Sequence, residues 1–278
     1  MHSTPMPDRD DYRSLFAEYF DARCPDCQNS RWVVENGVAR RCHCFTEELA
    51  EHRLAFAGIP PSYQRCRLDN FMPQNAKQRE ALSFVEMFIT SFQRGEALGR
   101  GLLIRGPVGV GKTHLAVAVL RRLIEQGFTG RFQNFLHLIE QIRQSFDDSG
   151  ADIEGKLFRR LSRCQVVLLD ELGATRPTEF VFNKLYDIIN FCFDQRISVL
   201  FTTNYSDHAA RPGWSAPAAS PATDSEGRPT TDPAGPGSAT AYTLAERITQ
   251  RLYSRIMERC TDVVLQGSDY RLRHKAKS

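Results

Sequence analysis

The stretch GLLIRGPVGVGKTHLA, residues 101–116, decides the fold. Gly101-Leu-Leu-Ile is a short apolar run of the kind a buried strand carries, and a helical pattern opens at Thr113. Between them the pattern G-x-x-x-x-G-K-T runs from Gly106 to Thr113, and its spacing has a chemical reason. Glycines let the backbone fold around phosphate oxygens with its N–H groups pointing inward, and the N-terminus of the next helix adds positive potential. Lys112 is then expected to reach the terminal phosphates, and the Thr113 hydroxyl to hold Mg²⁺. The whole loop (Gly106, Pro107, Val108, Gly109, Val110, Gly111, Lys112, Thr113, with His114 behind it) reads as a nucleotide-phosphate cradle. Its place between a strand and a helix weighs against a ligand-free glycine turn.

Working outward, apolar runs alternate with helical periodicity. RFQNF, the run QVVLLD ending at Asp170, SVLFTTN ending at Asn204, and TDVVLQ read as strands. Helices are expected over 76–92, from the loop to about Gln126, over 136–146, 154–161 and 179–193, and without interruption over Leu244–Arg259. Strands that are apolar throughout and separated by helices imply a parallel sheet covered on both faces. From about Ser206 to Thr240 the chain turns to Pro, Ala, Gly, Ser, Thr and Asp, which reads as a disordered surface loop. Upstream, a short helix is expected over Asp10–Asp21 and another over Thr46–Ala57, stopped by Gly58-Ile59-Pro60-Pro61. The expected organisation is an N-terminal module over 1–58, the nucleotide domain over 59–272 and a basic tail over 273–278.

Composition narrows the function classes. With 41% hydrophobic residues in 278, the chain can bury one full core and carry a small appendage. A net charge of +3 makes any nucleic-acid contact local. No apolar run approaches the roughly 20 residues that span a bilayer, and the start MHSTPMPDRDDYRS lacks a secretory core, so a cytoplasmic location is expected.

Chemistry gathers at the strand ends. Asp170 and Glu171 close VVLLDE, where a nucleotide enzyme needs one carboxylate for Mg²⁺ and another to polarise water. Asn204 can orient that water if its strand lies between the strands bearing the loop and Asp170. The helix LAERITQRLYSRIMERC sets Arg247, Arg251, Arg255 and Arg259 at i, i+4 spacing, either a solvated stripe or the source of an arginine that reaches a neighbouring subunit's phosphate. Arg271 follows in SDYR. Of eight cysteines, Cys66, Cys164, Cys192 and Cys260 read as small buried hydrophobes. Cys24, Cys27, Cys42 and Cys44 flank a hairpin signal at Asn36-Gly37 and match a tetrahedral zinc site, with His43 a substitute ligand and a redox pair or plain thiols the alternatives.

GPVGVGKTHLA, VVLLDELGA, VLFTTN, the arginine helix with SDYR, and the upstream IPPSYQRCRLDNF together resemble the DnaC/IstB branch of AAA+ ATPases over about Ile59–Arg271. The resemblance implies a three-layer P-loop NTPase with a parallel sheet of order 5-1-4-3-2 and ATP hydrolysis at subunit interfaces of a homo-oligomer. It implies Lys112 and Thr113 as the Walker A pair, Asp170 and Glu171 as Walker B, and Asn204 as sensor 1. Arg255 becomes the first choice of arginine finger, Arg251 the next, and Arg271 sensor 2. One arm of the family loads a replicative helicase onto single-stranded DNA; the other assists a transposase. The cysteine module is similar to zinc-binding N-terminal segments of some loaders, which favours a helicase partner bound through 1–58. Arg143, Lys156, Arg159 and Arg160 are candidate DNA-phosphate contacts. A small-molecule kinase is a weaker alternative, because a monomeric kinase needs no arginine from a neighbour.

Overall fold

The computed structural model describes residues 26, 32–35, 38–147, 153–175, 178–206 and 243–270. The chain divides into two compact units, Met1–Glu51 and His52–Ser278. In the first, β1 (Trp32–Glu35) and β2 (Val38–Arg41) pair antiparallel with Glu35 opposite Val38, so Asn36-Gly37 is the two-residue connection the sequence signals. Helix α1 (His43–Ala57) stops before Gly58, as expected from the prolines that follow. The division into units nevertheless falls earlier than residue 58, because Leu54 and Ala57 already pack in the larger unit's core. The expected helix over Asp10–Asp21, the expected loop beyond Ser206 and the tail lie outside the described residues.

The larger unit is built on a five-stranded parallel sheet of β3 (Gly101–Arg105), β4 (Gly130–Asn134), β5 (Val166–Asp170), β6 (Ser198–Thr203) and β7 (Cys260–Val264). Its spatial order is β7-β3-β6-β5-β4. Counted among the sheet's own strands that is 5-1-4-3-2, the hairpin strands shifting the labels by two. The central strands β5, β6 and β3 are buried at every position, which is why each carries an apolar run, while the edges β4 and β7 are partly exposed.

Alternate strand residues enter opposite layers. Leu102, Ile104, Val166, Leu168 and Leu200 pack with α2 (Ala76–Gln93) and α3 (Lys112–Glu125). Leu103, Val167, Leu169, Val199 and Phe201 pack with α4 (Phe135–Asp147), α5 (Ile153–Leu161) and α6 (Glu179–Asp194), and with the C-terminal helices. Helices on both faces make the three-layer α/β architecture. At the sheet edge the buried Arg105 pairs with Asp262, tying the strand before the phosphate loop to β7. The thiols of Cys66, Cys164, Cys192 and Cys260 are all buried, in line with their reading as small hydrophobes. Burial pushes Cys164 up to about 11 and Cys192 up to about 12. Among the described residues no helix is long and apolar enough to cross a membrane.

One element departs from its expected form. The helix predicted to run unbroken over Leu244–Arg259 is two, α7 (Leu244–Ile248) and α8 (Gln250–Arg259), broken at Thr249 with φ +71° and ψ 146°. Thr249 carries neither of the usual break signals, Gly or Pro. Leu244, Ile248, Leu252 and Ile256 are all buried in one cluster, so packing outweighs the continuous helical pattern. Arg247 thereby leaves the stripe that Arg251, Arg255 and Arg259 keep. A β-branched residue at this φ and ψ carries strain of about 1–3 kcal/mol. Thr249→Gly should therefore raise the unfolding free energy by about 1 kcal/mol after its added unfolded-state entropy, and chemical denaturation showing no gain would refute the strain.

Candidate functional site

Register brings the site together at the C-terminal ends of adjacent strands. Thr203 on β6 pairs with Arg105 on β3, and Asn134 on β4 with Asp170 on β5. β6 does lie between the strand that leads into the phosphate loop and the strand that ends at Asp170. Asp170 Oδ1 accepts from Thr113 Oγ1 at 2.9 Å and from Thr202 Oγ1 at 2.6 Å, joining α3, β5 and β6 through one oxygen. Glu171 follows in the left-handed region at φ +63°, with its N–H donating to Thr202 Oγ1 at 2.9 Å. Asn134 Nδ2 donates to Glu171 Oε2 at 3.4 Å, which aims that carboxylate.

Between Arg105 and α3 the loop takes the form its glycines allow. Gly109 has φ +76°, and a Cβ there would stand 2.0 Å from the Asp269 carboxylate, so both conformation and space demand glycine. Tyr270 N–H donates to the Gly109 carbonyl at 3.0 Å. Gly111 caps α3 at φ +97° with no side-chain capping hydrogen bond, which leaves the helix N-terminus for an anion. Lys112 is buried, and its ammonium donates to the Pro107 carbonyl at 2.6 Å.

Some of these groups line a cavity of about 420 Å³, a volume that suits a nucleotide, while Asn134, Pro107 and Asp170 are not among its lining residues. Val108, Gly109, Val110, Gly111, Lys112, Thr113, His114, Glu171 and Asn204 all contribute to it. Tyr63, Phe71 and Met72 of the connector before α2, which sequence reasoning did not assign to the site, also line it, together with Tyr270. Phe71 would touch a Gly111 Cβ at 3.0 Å and tilts against His114 at 5.6 Å. His114 Nε2 in turn lies 3.1 Å from the Arg67 carbonyl, which holds the connector on α3. These aromatics sit among turn residues without periodicity, and their clustering within 13 residues upstream of α2 was the one available signal.

Other expected site residues fall elsewhere. Among the described residues, none of the arginines of α7 and α8 lines this cavity. Arg251 is exposed, with its guanidinium 3.8 Å from the centre of the Tyr186 ring. Arg255 is held by its own chain: Nε donates to Asn190 Oδ1 at 3.0 Å, Nη1 to Glu258 at 2.8 Å, and Nη2 lies 3.8 Å from Asp194. Arg271, Cys24 and Cys27 lie outside the described residues. Cys42 is buried, and of Cys44 only its place in α1 is described. Among the described residues no group of three or more metal-ligating side chains occurs.

Burial raises the Asp170 pKa above the ordinary carboxylate value; hydrogen bonds from Thr202 and Thr113 oppose this, Glu171 adds to it and Lys112 subtracts. The folded chain therefore binds this proton more tightly than the unfolded chain. The resulting destabilisation is absent below the unfolded pKa, builds as pH rises toward the raised folded pKa, and is constant above it. Asp170→Asn removes the charge yet keeps an oxygen for both threonines. In metal-free buffer it should unfold with a higher free energy than wild type near pH 7, the gap closing toward about pH 4. Denaturation curves across that range check it, and a variant less stable than wild type near pH 7 would contradict it.

A model of IstB-like ATP binding proteins matches residues 51–211, more than half of the chain. The replicative helicase loader DnaC of Escherichia coli (strain K12) is 28% identical over 170 residues, which span 60% of this chain and 66% of that protein. The putative ATP-binding protein of insertion sequence IS1162 from Pseudomonas fluorescens is 26% identical over 46% of this chain and 54% of its own. A crystal structure of the DnaC helicase loader superposes with a TM-score of 0.56 at 28% identity, covering 74% of this chain and 99% of that one. With the phosphate loop, Asp170 and the parallel sheet in place, the chain belongs to the family of IstB-like ATP-binding proteins.

Proposed function

We propose that this chain hydrolyses ATP and uses the cycle to load or remodel a replicative helicase on single-stranded DNA. The observation that carries hydrolysis is the hydrogen-bonded set Thr113–Asp170–Thr202 beside Glu171 at the cavity wall. Lys112 and the loop N–H groups bind the triphosphate, and Thr113 with Asp170 holds Mg²⁺. Such an ion would supply positive charge to offset the negative charge of the phosphates. Glu171, aimed by Asn134, takes the proton of the attacking water, and Asn204 at the end of β6 orients that water. Arg251, exposed and held by a single side chain, Tyr186, through its ring and a hydrogen bond in the contacts described, is better suited than Arg255 to reach the nucleotide of a second copy. Arg271 completes the site from its own chain.

Helicase as partner is supported by the match to the DnaC loader, which extends over nearly all of the crystallised loader. A transposition helper is the second reading, favoured by the family's IstB-like description and the insertion-sequence relative. For single-stranded DNA the contacts are the exposed Arg143, Lys156, Arg159 and Arg160 on α4 and α5. In the N-terminal unit, Cys24, Cys27, Cys42 and Cys44 hold a structural zinc, a reading supported by the hairpin, whose ladder from Trp32–Arg41 to Glu35–Val38 lies in the sequence between the two cysteine pairs.

Glu171→Gln keeps an acceptor for Asn134 and removes the base. Turnover should fall about 100-fold or more while affinity for a non-hydrolysable ATP analogue stays; unchanged turnover would sink the assignment. Retention of a replicative helicase on the immobilised full chain is expected, and retention of a transposase alone would move the reading to the second partner. Elemental analysis should find about one zinc per full-length chain, lost in Cys27→Ser, and metal-free protein from a zinc-replete preparation would exclude the site.

A further inference from the structure

Arg247 stands apart from the arginines that follow it. It lies on α7, ahead of the break at Thr249, and its guanidinium turns into its own chain. Nε donates to the Gly173 carbonyl at 3.0 Å and Nη2 to the Ala174 carbonyl at 3.2 Å. The guanidinium carbon also sits 5.1 Å from the centre of the Tyr205 ring. Both carbonyls belong to the turn that leaves β5 and carries Glu171.

That turn is unusual and tightly enclosed. Glu171 at φ +63° and Gly173 at φ +83° both occupy the left-handed region, and Ala174 N–H closes back on the Glu171 carbonyl at 3.0 Å. A Cβ at Gly173 would meet Arg247 Cβ and Tyr205 Cδ2 at 3.3 Å and Leu244 Cδ1 at 3.4 Å, so the turn lies flush against α7. On its other side β6 holds it: Leu172 N–H donates to the Thr202 carbonyl at 2.8 Å, and Thr203 Oγ1 donates to the Leu172 carbonyl at 2.8 Å. The strand is a fixed wall. α7 is the other wall, and one strained residue separates it from α8, which bears Arg251.

We propose that Arg247 is a positioning residue acting within its own subunit: it clamps the Glu171 turn to α7 and so links the aim of that carboxylate to the seating of α7–α8. The proposal rests on the hydrolytic reading given above. A non-glycine residue such as Glu171 leaves the left-handed region unless its surroundings hold it there. A charged donor fork on two successive carbonyls does so from the α7 side. Because two arms of the fork are occupied inside the chain, Arg247 does not serve as the arginine offered to a neighbour. Docking of a second copy against α8 would instead act on Glu171 through the α7–turn contact.

ATP turnover of assembled full-length variants tests this. Arg247→Ala should lower kcat about 10- to 100-fold, as misplacement of a reacting group does, with KM and ATP-analogue affinity within about twofold of wild type. Arg247→Lys, which keeps the stem and can reach one carbonyl, should recover part of kcat. It carries the test alone, by the same loss of kcat at constant KM, should the alanine variant fail to fold. Arg247→Ala mixed with Glu171→Gln subunits should gain nothing, since its defect lies beside its own Glu171. Arg251→Ala mixed the same way should regain turnover, since the partner lends the missing arginine. Restoration of Arg247→Ala on mixing, unchanged kcat, or a rise in KM at constant kcat would overturn the inference while leaving hydrolysis standing. A wild-type assembly without turnover would overturn the hydrolytic reading, and this one with it.

Discussion

One oxygen atom, Asp170 Oδ1, holds the C-terminal end of the sheet together. It receives the hydroxyls of Thr113 and Thr202, so the first turn of α3, the end of β5 and the end of β6 are fixed to a common point. Thr202 serves twice, because its oxygen also accepts the Glu171 N–H. The aim of Glu171 is thus set by the same atoms that set the distance from the phosphate loop to the carboxylate. This arrangement needs three adjacent parallel strands ending level, which the registers of β5 with β6 and of β6 with β3 supply. It also needs those strands to be buried, since a solvated Asp170 would find water in place of the threonines. Long apolar runs and the polar site at their ends are therefore one requirement.

Burying that carboxylate has a cost that the chain alone does not offset. The two threonine hydroxyls and Lys112 lower the Asp170 pKa, but desolvation outweighs them, and the Lys112 ammonium donates to the Pro107 carbonyl. A buried acid in this state is short of positive charge. Under the proposed reading, a divalent cation carried in with the triphosphate supplies it, and Lys112 leaves Pro107 for the phosphate. Under that reading, affinity for the metal–nucleotide pair would come partly from offsetting this desolvation cost, a form of preorganisation.

The parts legible in the sequence are those where local chemistry and tertiary structure ask for the same residues. β3, β5 and β6 announce themselves because strands buried on both faces carry apolar side chains along their middles and keep polar ones for partnered positions near their ends, and the phosphate loop because backbone folded around an anion requires glycine at fixed spacing. Asn36-Gly37 announces its hairpin for a similar local reason. The break at Thr249 was hidden, since the helical pattern of Leu244, Ile248, Leu252 and Ile256 is uninterrupted and only the shape of the core divides it. Phe71 and Tyr63 were hidden because single aromatics in a connector have no period to read. Arg247 shared the i, i+4 spacing of Arg251 and Arg255, and nothing in that spacing distinguishes a guanidinium turned inward from one turned out.

Helix α6 offers a physical basis for ranking the arginines of α8. Tyr186, Asn190 and Asp194 recur at i, i+4 and i+8 on one stripe of α6, and α8 lays Arg251 and Arg255 along it. Arg255 meets an amide and two carboxylates, partners that compete directly with any phosphate for its donors. Each exposed ion pair contributes at most about 1 kcal/mol, but together with the amide they fix the side chain in one geometry. Arg251 meets the face of a tyrosine, an attraction of about 0.5–1 kcal/mol at an exposed site that occupies few donors. A triphosphate approaching from a second copy would therefore draw Arg251 off its ring at small cost, whereas drawing off Arg255 would break its contacts with Asn190 and Asp194 and leave Glu258 to Arg259 alone. On the shared-site reading, Tyr186 acts as a parking place for the arginine that moves, and the carboxylates beside Arg255 keep the helix seated while it does.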